Sequence, residues 1–332
     1  MEYRFLGRSG LKVSALSFGA WVTFGNQADT ERAQKLMAAA YDHGVNFFDN
    51  AEEYAGGLAE TIMGKVLRKT GWKRSELVLS TKIFWGGDGP NDQGLSIKHI
   101  IEGANASLKR LQVEYVDLIF CHRPDKFTPV EETVRAMNLL ISQGKAFYWG
   151  TSEWSAARIK DAWHFARQNS LIPPLMEQPE YNMFRRHRVE TEYQPLYSEI
   201  GLGTTIFSPL ASGILTNKYA SGIPDDSRLA LSKYDWLRKR AESQEGRERI
   251  EKTKNLNKVA EQLDISLSQM AIAWCLRNPA VSSVITGASK PEQVNENMKA
   301  LKAVPLLDSE VMERIEQILD NKPAEEKDHR TN

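Results

Sequence analysis

Val116-Asp117-Leu118-Ile119-Phe120-Cys121-His122 is a short, nearly unbroken apolar run that ends on an imidazole. Such a run fits a strand buried on both faces of a parallel sheet, where no in-out alternation is expected. Downstream, Val130, Val134, Met137, Leu140 and Ile141 recur at the spacing of one helix face, with Glu131 and Glu132 in the first turn, where the helix dipole favours negative charge. Gly144 sits where that helix should stop, and Phe147–Gly150 reads as the next strand. The stretch is strand, helix, strand, the connection that parallel neighbours require.

The same unit recurs along the chain. Further strand candidates are Leu16–Phe18, Asn46–Asp49, Leu77–Lys82, Leu175–Gln178, Thr204–Phe207 and Val281–Ile285, which brings the count to eight. Ile97, Ile100, Ile101, Ala104, Leu108 and Leu111 form another helical stripe, and Gly44 and Gly201 are further stops. Eight-fold strand–helix alternation over roughly 250–320 residues predicts an α/β protein of the (β/α)₈ (TIM) barrel class. The alternative is a doubly wound open sheet, but no Gly-x-Gly-x-x-Gly follows an early strand and no Walker A sequence occurs. Three segments are additions: a hairpin over Leu6–Val13, a long charged insertion over Ile214–Lys252 after the seventh barrel strand, and an extra C-terminal helix over Ser309–Leu319. The expected organisation is one domain over residues 1–320 and a charged tail over 321–332.

Composition narrows the function. Lys+Arg and Asp+Glu both number 43, so the formal net charge is zero, against a nucleic-acid partner. No apolar run reaches the ~18–20 residues that span a bilayer, so no membrane insertion is expected. The first residues lack the pattern of a signal peptide, and the two cysteines, Cys121 and Cys275, offer no disulfide framework, so a cytoplasmic location is expected. The histidines show no metal-ligand spacing with them, and no metal site is expected.

In a barrel of this class, functional groups stand at the C-terminal ends of strands. Those positions hold Asp49 after the second strand, Tyr54 in the loop beyond it, Lys82 at the end of the third and His122 at the end of the fourth. A phenol of pKa near 10 is a poor acid at neutral pH. A neighbouring ammonium lowers that pKa, a carboxylate holds the ammonium in place, and an imidazole orients a carbonyl oxygen. The set suits reduction of a small carbonyl substrate by a hydride donor. Trp85 and Phe84 could wall the substrate with Trp21 and Tyr54, or simply cap the barrel.

Asn46-Phe47-Phe48-Asp49-Asn50-Ala51-Glu52-Glu53-Tyr54, Ser80-Thr81-Lys82 and Tyr115–His122 resemble the aldo-keto reductase superfamily, from about Tyr3 to Leu319. Trp21–Gly25, Ile83–Gly87, Val130–Met137, Tyr148–Ser152, Ala273–Asn278 and Gly287-Ala288-Ser289 resemble its voltage-gated potassium channel β-subunit branch. The resemblance implies an NADPH/NADP+-dependent oxidoreductase with Tyr54 as general acid and Asp49 with Lys82 as its tuning pair. It implies that Trp21, Tyr54, Trp85 and His122 face the substrate. Trp21, Gln27, Asp49, Ser152 and Gln178 would serve the nicotinamide end, and Phe207, Ser208, Pro209, Leu210, Ala211, Ser212, Gly213, Lys218 and Arg228 a cofactor clamp under a lid formed by part of the insertion. Gly287, Ser289, Gln293, Glu296 and Asn297 would meet the adenosine half. A homo-tetramer and a channel α-subunit partner are implied too. The chain departs from animal channel β-subunits in carrying His122 where they have Asn, which favours a working enzyme, and Glu153 where a basic residue stands beside the cofactor.

Overall fold

The computed structural model describes residues 1–21, 23–224, 227–230, 234–324 and 330. In chain order the first elements are β1 (Tyr3–Phe5), β2 (Lys12–Ser14), β3 (Leu16–Gly19), α1 (Thr30–Asp42), β4 (Phe47–Asp49), α2 (Leu58–Thr70), β5 (Val78–Ile83) and α3 (Ile97–Leu111). Next come β6 (Val116–Cys121), α4 (Val130–Ser142), β7 (Ala146–Thr151), α5 (Ala156–Gln168), β8 (Met176–Glu177), α6 (Gln194–Glu199) and β9 (Gly203–Ile206). The last are α7 (Asp235–Glu242), α8 (Gln244–Gln262), α9 (Leu267–Arg277), β10 (Val281–Thr286), α10 (Pro291–Met298), α11 (Ala300–Ala303) and α12 (Ser309–Leu319). Two compact units divide the chain: Met1–Pro179, Pro195–Phe207 and Pro279–Met298 form the first, and Glu180–Gln194, Ser208–Asn278 and Lys299–Asn332 the second.

β3 to β10 close on themselves as a barrel of eight parallel strands, in the order β10-β3-β4-β5-β6-β7-β8-β9, all within the first unit. Each strand lies within one residue of its expected bounds. The reason is physical: every residue of β4, β5, β6 and β10 is buried, because one face lines the barrel and the other is covered. Register follows: Asp49 pairs with Ser80, Lys82 with Phe120, and Cys121 with Thr151. With side chains alternating along β5, Ser80 and Lys82 share the inner face, while Thr81 looks outward and donates to Glu60 of α2 at 2.5 Å.

The hairpin is present, with strands flanking the expected turn: Tyr3 pairs with Ser14 and Phe5 with Lys12, and the Leu6 N–H donates to Leu11 O at 2.9 Å. Leu6 and Val13 are fully buried against Phe47, Val78, Leu118 and Met176, which lie toward the starts of their strands. The hairpin therefore plugs the N-terminal end of the barrel and leaves the other end for chemistry. Gly44 and Gly144 follow α1 and α4 with φ of +85° and +68°, the left-handed conformation that ends a helix without a Cβ penalty.

The second unit holds α7, α8, α9, α11 and α12. Its anchor is Arg186, which pairs with Glu190 and Glu316, donates to Asn321 Oδ1 at 3.2 Å and stacks on Trp274 with 5.0 Å to the ring centre. The expected insertion contributes α7 and the first half of α8, which runs on past Lys252 to Gln262, and the expected C-terminal helix is α12 with unchanged bounds.

Candidate active site

β4, β5 and β6 deliver three of the four candidate groups to the C-terminal end of the barrel, and the loop after β4 supplies the fourth. Lys82 is completely buried, and its Nζ donates to three oxygens: Asp49 Oδ2 at 2.6 Å, Asn50 O at 2.7 Å and Tyr54 OH at 3.1 Å. Three acceptors match the three N–H groups of an ammonium. Since Lys82 donates to the phenol oxygen, the phenol's own proton is left to point at another acceptor. His122 stands edge-on to Tyr54 with ring centres 5.7 Å apart, and Trp85 stands edge-on to His122 at 5.2 Å.

Asp49 is fixed by more than Lys82. Its Oδ1 accepts from Ser80 Oγ at 2.7 Å and from Gln178 Nε2 at 3.1 Å. Ser80 escaped the sequence reading, although its place two residues before Lys82 on one strand face was the available signal. Tyr54 is positioned by its backbone: its N–H donates to Ala51 O at 3.2 Å, and Ala55, Gly56 and Gly57 follow with φ of +53°, +63° and +84° before α2 begins. Arg123 was also missed. It donates through Nη1 to His122 O at 2.5 Å and to Ser152 Oγ at 3.2 Å.

The electrostatics revise one expectation. Burial pushes the Tyr54 phenol well above its usual range, the carboxylates of Asp49 and Glu53 add to the rise, and Arg123 opposes it. The expected lowering by Lys82 does not dominate, because the ammonium charge is largely spent on Asp49 at 2.6 Å. Lys82 is itself pushed down by burial and held up by Asp49. His122 is pushed well below its usual range by burial, then by Lys82 and Arg123, so its ring is neutral at physiological pH. Its Nδ1 is buried without a hydrogen-bond partner among the described residues, 3.9 Å from Glu53 Oε1.

A stability prediction follows from His122. Its folded pKa lies below the unfolded value of about 6.5, so in that window the unfolded chain binds a proton that the folded chain refuses. Stability should therefore rise with pH up to about 6.5, and acidification should cost up to ~1.4 kcal/mol per pH unit through this residue. Urea unfolding of wild type and His122→Asn from pH 5 to 7 checks this: the variant should have the shallower acid slope, and parallel slopes would refute the assignment.

Comparison with known proteins decides the family. The model of the "Aldo/keto reductase family" matches residues 15–320. The chain belongs to the aldo/keto reductase family. Relatives include proteins named "Probable voltage-gated potassium channel subunit beta" from Arabidopsis thaliana, 57% identical over 331 residues, and from Oryza sativa subsp. japonica, 58% identical over 331 residues. Each alignment covers 99% of this chain and 100% of the relative.

Aldo/keto reductases are oxidoreductases that generally use NAD(P)H. Of the residues expected at the nicotinamide end, Ser152 and Gln178 are buried beyond β7 and β8, linked by Ser152 Oγ donating to Gln178 O at 2.8 Å. Gln178 spends its Nε2 on Asp49 and Thr205, and its Oε1 accepts from no described residue. That is an acceptor of the kind a carboxamide NH₂ needs, so the donor set fits the group. Trp21 and Gln27 are half-buried in the loop after β3, and Phe207 follows β9, its N–H donating to Pro179 O at 3.0 Å.

After β10, Gly287 and Ser289 precede α10, on which Gln293, Glu296 and Asn297 lie. The N–H groups of Ser289 and Lys290, at the helix start expected to meet the adenosine half, donate to Gln293 Oε1 at 2.8 and 3.3 Å. Gln293 is exposed and serves as a cap, so its side chain must move before an anion takes those donors.

In the second unit, Ser208, Ala211, Ser212 and Gly213 carry φ of +56°, +47°, +58° and +96°. Pro209 is buried, Leu210 O accepts from Gly213 N at 2.8 Å, and Asn182 Nδ2 donates to Ser208 O at 3.0 Å. Lys218 is exposed with its ammonium 5.0 Å from the Tyr219 ring centre. The side chain of Arg228 lies outside the described residues.

Proposed function

We propose that the protein reduces aldehydes and ketones to alcohols with NADPH, with Tyr54 as general acid. The observation that carries this reading is the direction of the hydrogen bond at Tyr54: Lys82 donates to the phenol oxygen at 3.1 Å, which frees the phenol proton for a substrate oxygen. The bound dinucleotide would supply the hydride to the carbonyl carbon. The chain's own residues do the rest. Neutral His122, whose Nδ1 is buried, would use its other ring nitrogen, Nε2, as an N–H donor to the carbonyl oxygen and orient it toward Tyr54. Trp85 and His122 form one wall of the substrate space, and Trp21 is assigned to it by resemblance. Asp49, held by Ser80 and Gln178, keeps Lys82 charged and in place, and Gln178 Oε1 with Ser152 would hold the nicotinamide carboxamide.

The assay is NADPH oxidation across an aldehyde panel that includes 4-nitrobenzaldehyde. Turnover is expected, and binding of NADPH with no turnover of any carbonyl would reject the reading. Lys218 and Arg228 would neutralise the 2′-phosphate or the pyrophosphate; if they take the 2′-phosphate, NADPH should bind at least ~10-fold more tightly than NADH, about 1.4 kcal/mol. Equal dissociation constants in a fluorescence titration would contradict that preference.

A second reading is favoured by the plant relatives named as probable channel β-subunits. On it, the same chain acts as a cytoplasmic regulatory subunit, a homo-tetramer of single-domain protomers docked on a potassium channel α-subunit, with cofactor turnover reporting redox state. Among the described residues no helix is long and apolar enough to cross a membrane. A monomer in light scattering at micromolar concentration would refute the assembly.

A further inference from the structure

Two residues before Tyr54 lies a buried carboxylate for which the proposed chemistry has no use. Glu52 is 4% exposed, and its Oε1 accepts from the Phe84 N–H at 2.6 Å and meets His99 Nε2 at 3.1 Å. Its own N–H donates to Lys82 O at 3.1 Å. One residue thus ties together the loop that carries Tyr54, the end of β5, the loop that carries Trp85, and α3 through His99.

The surroundings are shaped to receive it. Gly103 stands in the middle of α3, where glycine costs about 1 kcal/mol relative to alanine. A Cβ at that position would lie 2.7 Å from Glu52 Oε2 and 3.1 Å from Ile83 Cγ2. At Gly86 a Cβ would come within 2.6 Å of His99 Cε1 and 3.3 Å of Glu52 Oε2. The loop is also tied on both sides of Trp85, by Gly94 N–H to Phe84 O at 2.8 Å and Gly86 N–H to Asp92 O at 2.8 Å around a Trp85–Gln93 bridge, and further on by Leu95 N–H to Asp125 Oδ2 at 2.8 Å. The bonds around Trp85 join the loop to itself; Glu52 is a side-chain tie from the Tyr54 loop to that end, one residue from the ring that packs on His122.

We propose that Glu52, braced by His99, is a positioning residue that sets the Trp85 wall and through it the preference for flat aromatic aldehydes over small aliphatic ones. Glu52 touches neither substrate nor cofactor. It fixes the amide next to Trp85, so the indole meets an aromatic ring at a defined distance from Tyr54. A small aldehyde that does not reach the wall is indifferent to it. The inference rests on the reductase reading above.

The test compares wild type, Glu52→Leu, Glu52→Gln, Trp85→Leu and the Glu52→Leu/Trp85→Leu double variant with 4-nitrobenzaldehyde and propanal. Glu52→Leu should raise KM for 4-nitrobenzaldehyde ~10-fold with kcat within about twofold, and leave KM for propanal within about twofold. Glu52→Gln, which keeps an acceptor oxygen and the side-chain volume, should raise the aromatic KM only ~3-fold; it carries the test if the leucine variant does not fold. In the Trp85→Leu background, Glu52→Leu should add no further loss, because the ring it positions is gone. Independently of turnover, hydrogen exchange of the Phe84–Leu95 segment should quicken in Glu52→Leu. Additive losses in the double variant, equal losses for both aldehydes, or unchanged aromatic KM with unchanged exchange would overturn the proposal. A wild type that turns over neither aldehyde refutes the reductase reading instead, and the exchange result then decides whether Glu52 holds the loop.

Discussion

Tyr54→Phe should lower kcat for 4-nitrobenzaldehyde reduction by ~10²–10⁴-fold, the usual contribution of general acid catalysis. The substitution deletes one oxygen and one proton and leaves the ring against His122. Lys82 keeps two of its three acceptors, Asp49 at 2.6 Å and Asn50 O at 2.7 Å, so the charged pair survives. One buried N–H loses its partner, which should cost about 1–3 kcal/mol of stability. NADPH affinity should change by less than about 1 kcal/mol, because the phenol holds no part of the dinucleotide. Since burial raises the phenol pKa, wild-type reduction should hold its rate through neutral and mildly alkaline pH, where Tyr54 stays protonated. Single-turnover NADPH oxidation measures both. A phenylalanine enzyme at the wild-type rate would move the acid role to His122, and a wild-type rate that fell away above pH 7 would contradict the raised phenol.

Which parts of this molecule the sequence could reveal depends on whether a residue's role is set by its own strand or by a distant partner. Barrel strands announce themselves because burial on both faces makes them continuously apolar, and the chemistry-bearing ends follow from the strand ends: Asp49 closes β4, Lys82 is the penultimate residue of β5 and His122 follows β6. The α3 stripe shows the opposite case. Ile97 was expected to be buried and is 43% exposed, whereas His99, Gly103 and Ser107 are buried. That face is polar because its partners are polar: Glu52 meets His99, and Glu60 takes Arg110 at 2.7 Å. No periodicity of apolar residues encodes a helix face that packs on buried carboxylates. The phenol's upward shift was hidden for a similar reason. A neighbouring ammonium can be guessed from strand ends, but its neutralisation by Asp49 and the burial of both depend on the closed barrel. Gln293 capping the start of α10 is likewise a local choice between two acceptors that sequence spacing leaves open.

The largest stability effects should come from splitting Asp49 and Lys82. Their side chains are 4% and 0% exposed, so neither charge has water to fall back on. Removing one partner of a buried pair typically costs 3–5 kcal/mol, because the survivor is left uncompensated. Asp49→Ala should also show a pH dependence. In Asp49→Ala the main influence holding Lys82 up is gone, while burial and Arg123 still push it down against Glu53, so its folded pKa lies below the unfolded value of about 10.4. The unfolded chain then binds the extra proton, and stability should rise with pH. In Lys82→Met the Asp49 side chain, 4% exposed, is left without its counter-charge, and the loss should show as lowered stability. Asp49→Asn with Lys82→Met removes both charges while keeping an oxygen for Ser80 Oγ and Gln178 Nε2. That double variant should recover most of the lost stability and still lack measurable reduction, because Tyr54 no longer has a neighbour to take up the charge left as its proton leaves. Urea unfolding of the three proteins at several pH values, beside NADPH oxidation, reads all of this. Single variants that each lose less than about 1 kcal/mol, or an Asp49→Ala protein whose stability does not rise with pH, would mean that the pair is not the buried, mutually dependent unit that holds Tyr54 in place.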